Sequence, residues 1–316
     1  MNKVQEWVRT TSFKNYTIEA ALADASFRKY YRLRDGQKTA ILMDSSLEKN
    51  SLDAFLNVSA KLCKAEVCAP KIFEQNPDEG YLILEDFGTT HYLDILNKEN
   101  FKAFYTKAIN TILKIQKADA SALPLYDKAF LHKEMDLMQE WYLEKLLHLK
   151  LSDAQKELVA NTLERISDVV LEQPQGVFVH RDFHSRNIML KGDKKIGIID
   201  YQDAMNGAIT YDLVSLLKDC YVAYDRSEIK KLALEFRDKK GLKVSDATFI
   251  KWFDFMGMQR HIKVLGIFAR LSIRDKKNGY LKDIPLTLKY VIDAANRYEE
   301  TKELATLLSH VSKSNF

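Results

Sequence analysis

The stretch Val177-Phe-Val-His-Arg-Asp-Phe-His-Ser-Arg-Asn-Ile-Met-Leu190, followed by Ile196-Gly-Ile-Ile-Asp-Tyr-Gln-Asp203, constrains this chain more than any other. An apolar run ends in His180-Arg181-Asp182, Asn187 follows after four intervening residues, and Ile188 to Leu190 begin a second apolar run. Lys191-Gly-Asp-Lys-Lys195 reads as a hairpin turn, after which Ile196, Ile198 and Ile199 lead into Asp200. A carboxylate, a carboxamide and a second carboxylate therefore stand at the ends of short buried strands. Asp is also a common turn former. Four fixed positions in the order H-R-D-x-x-x-x-N, with a further strand ending in Asp, seldom coincide by chance.

Phosphoryl transfer uses this set. One carboxylate (Asp182) orients and deprotonates a hydroxyl, while an amide (Asn187) and a carboxylate (Asp200) hold Mg²⁺ on the phosphates of ATP. Composition is compatible with such an enzyme. Across 316 residues, 48 basic and 44 acidic side chains leave a net charge of +4, too balanced for a nucleic-acid scaffold. Cys63, Cys68 and Cys220 make neither a disulfide framework nor zinc-ligand spacing. The N-terminus lacks the apolar core of a signal peptide, and no apolar run approaches spanning length, so a cytoplasmic protein without a membrane partner is expected. The sequence leaves the oligomeric state open, a monomer being compatible with it.

Taken in order, residues 3–11 have helical spacing, and 16–22, 27–34 and 39–44 read as strands joined by turns at Asp24-Ala-Ser26 and Asp35-Gly36. Residues 52–63 form a helix, and 71–74 and 81–85 two more strands. From 98 onward the pattern turns helical, in 98–118, 131–147, 153–171 and again from about 211, interrupted only by the strands of 177–200. The fold class expected is α+β: a bilobal protein-kinase-like fold, with a small antiparallel β N-lobe (1–87) and a larger, mostly helical C-lobe (88–316). Asp86-Phe87-Gly88 spells the kinase metal loop but lies far upstream of His180. It reads better as the hinge, with Glu85 and Phe87 placed to meet adenine.

The chain resembles the aminoglycoside phosphotransferase and choline kinase-like family, and within it the anomeric sugar kinases of cell-wall recycling. The resemblance is carried by the catalytic stretch together with Asp24-Ala-Ser-Phe-Arg-Lys-Tyr-Tyr-Arg32, Ile41-Leu-Met-Asp44, Leu82-Ile-Leu-Glu-Asp-Phe-Gly88, Thr210–Asp219 and Gln259–Arg270. It implies ATP- and Mg²⁺-dependent phosphorylation of the anomeric hydroxyl of N-acetylmuramate and N-acetylglucosamine, with a small-molecule amino sugar as the partner. It also implies that Asp182 aligns that hydroxyl, that Asn187 and Asp200 ligate Mg²⁺, and that Asp212 braces the catalytic loop through backbone N–H groups. A plain helix cap is the other account of Asp212.

Two kinase features are missing. Met43 stands near the position of the third-strand Lys, and no Gly-rich loop precedes it. Arg28, Lys29 and Arg32 on the second strand are therefore the candidates to meet the phosphates, with Ser26 in the turn before it as a further nucleotide-binding candidate. Period-two alternation puts Arg28, Tyr30 and Arg32 on one face and Lys29, Tyr31 and Leu33 on the other, without saying which face covers the nucleotide. For the sugar, Gln259, Lys263, Gly266 and Arg270 form a narrow stripe on an otherwise apolar helix, a place for an anionic group such as the lactyl carboxylate. Arg260 lies off that stripe. His184, Arg186, Gln202 and Asp203 are further substrate-contact candidates in the loops. A kinase for a cationic acceptor is a rival reading, although Arg186, Arg260, Lys263 and Arg270 argue against it. A catalytically inactive binding module is another, and the intact Asp182, Asn187 and Asp200 argue against that.

Overall fold

The computed structural model describes residues 2–20, 28–192 and 195–315. Ser26 and Phe27 lie outside the described residues. In chain order the elements are α1 (Asn2–Arg9), β1 (Thr17–Ala20), β2 (Lys29–Asp35), β3 (Lys38–Asp44), α2 (Leu52–Lys64), β4 (Ile72–Asn76), β5 (Tyr81–Glu85) and α3 (Tyr92–Ile95). There follow α4 (Phe101–Ile115), α5 (Lys128–Leu137), α6 (Asp153–Glu172), β6 (Val177–Val179), β7 (Ile188–Leu190), β8 (Ile196–Ile198) and β9 (Met205–Gly207). The chain closes with α7 (Tyr211–Leu217), α8 (Arg226–Lys240), α9 (Asp246–Ile273), α10 (Ile284–Ala295) and α11 (Lys302–Asn315). The result is an α+β protein with one five-stranded sheet and a mostly helical remainder. None of the described helices is long and apolar enough to cross a membrane.

Two compact units divide the chain: Met1–Ile95 with Arg186–Asp203, and Leu96–Ser185 with Ala204–Phe316. The sequence suggested a boundary at Phe87-Gly88 with the whole catalytic stretch on the helical side. Instead the chain parts after Ser185, and Asn187 and Asp200 group with the sheet. The cause is the β7–β8 hairpin. Its Ile198 N–H donates to the Cys68 carbonyl at 2.9 Å and its Leu190 N–H to the Thr90 carbonyl at 2.9 Å.

The sheet of the first unit is antiparallel throughout, in the order β1-β2-β3-β5-β4. Leu33, Ala40, Leu42, Tyr81 and Ile83 are buried on one face beneath Val4 and Val8 of α1, with Trp7 and Tyr31 packed around them. Lys29 shares that face by strand alternation. The α1 helix therefore covers the face carrying Lys29, and Tyr30 and Arg32 point the other way.

The second unit is built around α9, a helix of 28 residues, buried along nearly its whole length from Phe249 to Ser272. A helix buried on nearly every side has to be a central one. Ser245 starts it by accepting the Thr248 N–H at 3.1 Å. A Cβ added at Gly266 would come within 2.4 Å of the Leu137 backbone carbonyl carbon, so α5 and α9 touch backbone to backbone there. Past Leu137, α5 widens into a π-helical segment, Met138–Leu146. Side chains five apart then pair, Gln139 with Glu144 at 3.0 Å and Lys145 with Glu140 at 2.5 Å.

Candidate active site

In the second unit, strand β6 delivers the chain into His180-Arg181-Asp182. Arg181 has φ +75°, a left-handed conformation that a non-glycine residue adopts only when its surroundings force it. Three groups do so. Asp212, in the first turn of α7, accepts the His180 N–H at 2.8 Å and the Arg181 N–H at 3.1 Å. Arg260 Nη1 donates to the Arg181 carbonyl at 3.0 Å. Further along, Asp219 accepts the Ser185 N–H at 2.8 Å. Burial pushes the Asp212 carboxyl up to about 7, against the pull of the two N–H groups and Arg260. Asp219 had no part in the sequence reading, since nothing local marks it beyond its place at the end of the Thr210–Asp219 segment.

The Asp182 side chain is 38% exposed, and Arg260 Nη1 lies 3.7 Å from its Oδ1. Burial of the carboxyl pushes its pKa up, but Lys263, Arg260, His184 and Arg181 together outweigh that and hold it well below the usual carboxylate range. Asp182 is thus an ionised acceptor. The ring of His184 stands edge-on to Tyr221 with centroids 5.3 Å apart.

The helix stripe proposed as an anion site is occupied by the protein itself. Glu134 of α5 places Oε1 2.5 Å from Arg181 Nη2 and 3.0 Å from Lys263 Nζ. The Tyr126 hydroxyl donates to Glu134 Oε2, and Gln259 Nε2 donates to Tyr126 Oη at 3.3 Å. Lys263 also donates to Tyr211 Oη at 3.0 Å. Gln259, Lys263 and Gly266 therefore face α5, and the anionic group that Lys263 meets is Glu134. Periodicity gave the stripe correctly but not what it faces. Glu134 left a signal that went unused: it sits three residues after Leu131 and four before Met138, on the apolar side of its helix. Arg260, expected at the sugar, is 4% exposed and directed at the catalytic loop.

In the first unit, Asp200 has φ +64°, the second left-handed non-glycine residue of the catalytic stretch. Asn187 Nδ2 donates to Asp200 Oδ2 at 3.2 Å, and Gln202 Nε2 donates to Oδ1 at 2.8 Å. Gln202, expected at sugar hydroxyls, thus orients the Asp200 carboxylate. Next to it Tyr201 is buried, shares a hydrogen bond with Ser59 at 2.8 Å and stacks on Phe55 with centroids 5.1 Å apart, which ties the loop to α2. Asp203 is exposed. The Arg186 carbonyl pairs with His91 Nδ1 at 2.7 Å. An amide oxygen and a carboxylate fit Mg²⁺, which prefers hard oxygen ligands and takes few from protein when phosphates and water supply the rest. Accordingly, no cluster of three or more His, Cys, Asp or Glu among the described residues forms a metal cage.

The nucleotide-binding candidates are anchored inside the same unit. Arg32 makes a two-pronged pair with Asp86 at 2.7 and 3.1 Å and donates to the Gly88 carbonyl at 3.1 Å. Arg28, 5% exposed, donates to Ser51 Oγ at 2.9 Å, before α2. Both cations serve as struts for β2 in this structure. Glu85 pairs with Lys191 at 2.6 Å, and Lys191 Nζ lies 4.6 Å from the Phe87 ring centroid. Phe87 itself packs on Gly197, where a Cβ would come within 2.4 Å of the ring. Lys191 was missed because the sequence showed it only as a hairpin residue.

A profile of the phosphotransferase enzyme family matches residues 17–239. An N-acetylmuramate/N-acetylglucosamine kinase of Pseudomonas aeruginosa is 37% identical, over 92% of this chain and 87% of its own. One of Neisseria meningitidis is 36% identical, over 97% and 94%. Among solved structures, the choline kinase of Streptococcus pneumoniae superposes with a TM-score of 0.65 at 13% identity, over 92% of this chain and 98% of that one. An ADP-bound aminoglycoside phosphotransferase superposes at 0.63 and 14%, over 91% and 97%. At those identities the likeness is one of fold.

Proposed function

Because this chain belongs to the phosphotransferase enzyme family, we propose that it transfers the γ-phosphoryl group of ATP to the anomeric hydroxyl of N-acetylmuramate and N-acetylglucosamine. The observation that carries this reading is the relatives of that name, at 36–37% identity over most of both chains. The sugar 1-phosphate would re-enter nucleotide-sugar synthesis in the cytoplasm during peptidoglycan recycling.

The chemistry asks little of the protein beyond placement and charge. Asp182 accepts the hydrogen bond of the anomeric hydroxyl and takes its proton as the sugar oxygen bonds to the γ-phosphorus. The bond from that phosphorus to the bridging oxygen breaks, and ADP leaves. A hemiacetal hydroxyl is more acidic than an ordinary alcohol, so a carboxylate as weakly basic as Asp182 suffices. Asn187 and Asp200 would hold Mg²⁺, which supplies positive charge to the phosphate oxygens. Gln202 keeps the Asp200 carboxylate aimed. The backbone at Phe87 would meet adenine, since the Gly88 N–H and carbonyl are already used by Asp86 and Arg32.

Lys263 and Arg260, being buried and engaged, no longer count against a cationic acceptor, and the relatives make that distinction instead. The test is ADP release with ATP, Mg²⁺ and a panel of N-acetylmuramate, N-acetylglucosamine, glucose, choline and kanamycin, with Asp182→Asn as the blank. Turnover of the two N-acetyl sugars that vanishes in the variant is expected. Turnover of only the cationic compounds would refute the substrate assignment.

A further inference from the structure

Arg260 was expected to touch the sugar, yet its guanidinium is turned inward on the catalytic loop. One nitrogen, Nη1, reaches the carbonyl of strained Arg181 at 3.0 Å, the Tyr211 hydroxyl at 3.5 Å and the Asp182 carboxylate at 3.7 Å. Its Nε is buried with no hydrogen-bond partner among the described residues. Leaving a charged group's donor unsatisfied in the interior is costly and calls for a compensating role. Asp212 accepts the N–H groups of residues 180 and 181. The left-handed backbone at Arg181 is thereby gripped through its N–H by a carboxylate and through its carbonyl by a guanidinium.

We propose that Arg260 is a positioning residue that locks the Arg181–Asp182 peptide and the Asp182 carboxylate from the buried side. Asp182 then serves as an oriented, weakly basic acceptor suited to the acidic hydroxyl of a hemiacetal. This rests on the sugar-kinase reading for the acceptor's identity only. The other charged or titratable groups facing the loop include Lys263 from α9, Arg181 and His184 from the loop itself, Tyr211 and Asp212 from α7, Asp219 just past α7, and Glu134 from α5. Glu134 absorbs much of the charge of Arg181 and Lys263. Among the described residues Asp182 is the carboxylate paired with Arg260, and Arg260 stands second only to Lys263 among the cations that hold the Asp182 carboxyl down.

The experiment compares Arg260→Gln and Arg260→Lys in the full chain, with thermal melts to verify folding. For Arg260→Gln, kcat falls by about 10²-fold, in the range typical of misaligned acid–base groups, while the acceptor KM stays within about threefold. The acid limb of kcat/KM moves up by about one pH unit as Asp182 loses a neighbouring cation. Arg260→Lys keeps the limb in place and recovers only part of kcat, because its shorter side chain does not bring the ammonium to the point from which Nη1 reaches both carbonyl and carboxylate. If Arg260→Gln does not fold, the Lys variant decides alone, and wild-type kcat in it overturns the proposal. A rise in acceptor KM at unchanged kcat overturns it too, since that marks direct contact with the sugar. Titration of the Asp182 carboxyl carbon by NMR in aspartate-labelled protein, assigned by its loss in Asp182→Asn, needs no acceptor. An upward shift in Arg260→Gln supports the role of Arg260 even if the sugars prove not to be substrates, and no shift refutes it.

Discussion

Replacing Glu134 by Gln tests whether the charge cluster behind the catalytic loop is organised as described. The Glu134 side chain is 9% exposed, and one of its oxygens serves both Arg181 and Lys263. Burial pushes its carboxyl up, but Lys263, Arg181 and the Tyr126 hydroxyl outweigh that and hold it below the ordinary glutamate value. Gln keeps the shape and removes the charge, leaving two buried cations side by side. Breaking a buried pair from one side costs about 3–5 kcal/mol. With an unfolding entropy of ~2.1 cal/mol/K per residue, cooperative unfolding of a 316-residue chain would shift Tm down by roughly 5–8 °C. Because the folded-state pKa is depressed, this stabilisation is complete above the unfolded value near ~4.3 and fades as pH falls below it. The gap between wild type and variant should therefore narrow below about pH 4. Denaturant melts at pH 7 and at about pH 3 measure this directly. Adding Lys263→Met to the Gln variant should recover part of the loss, because it removes one of the stranded cations. A Gln variant within about 1 kcal/mol of wild type at pH 7, or a double variant no better than the single, would refute the reasoning.

Three further predictions follow from buried groups. Asp254 is fully buried against Lys218 at 2.8 Å, Arg226 at 2.9 Å and the Tyr298 hydroxyl at 3.0 Å, so Asp254→Asn should lose about 3–5 kcal/mol in chemical denaturation; a loss under about 1 kcal/mol would contradict it. His261 is buried on the Lys218 carbonyl at 2.8 Å, and burial pulls its pKa down to about 3. Below about pH 6.5 the unfolded chain therefore binds a proton that the folded one does not, and by pH 5 wild type should have lost ~2 kcal/mol more than His261→Gln; parallel losses in the two proteins would rule this out. Gly266→Ala drives a methyl into the Leu137 backbone and should cost at least ~1–3 kcal/mol, with wild-type stability in its melt as the opposing result.

The loops that carry Asp182, Asn187 and Asp200 were legible as strand-end loops because spacing between strand ends is a one-dimensional property. The order His180-Arg181-Asp182, Asn187, Asp200 needs no knowledge of the fold. The five strands of the sheet and the long helices were legible for the same reason, through periods of two and 3.6. The spelling Asp86-Phe87-Gly88 was set aside on order alone, and the structure uses those residues to anchor Arg32. What the sequence could not show was pairing across long separations. Lys263 looked like a receptor for a ligand's carboxylate because its carboxylate partner, Glu134, lies 129 positions away on another helix. Arg28 and Arg32 looked like phosphate contacts for the same reason, their partners Ser51 and Asp86 being remote in the chain. Nor does a periodicity register that Gly197 leaves room for Phe87, or that the chain changes unit between Ser185 and Arg186.

The central claim is that Asp182 directs the phosphoryl group to the anomeric oxygen. Proton-coupled ³¹P NMR of the product formed from N-acetylglucosamine, ATP and Mg²⁺ tests it directly. The account predicts a phosphate ester split by the anomeric proton, absent when Asp182→Asn replaces the wild type. A phosphate coupled to the methylene protons of carbon 6, or the same product formed by the Asn variant, would contradict it.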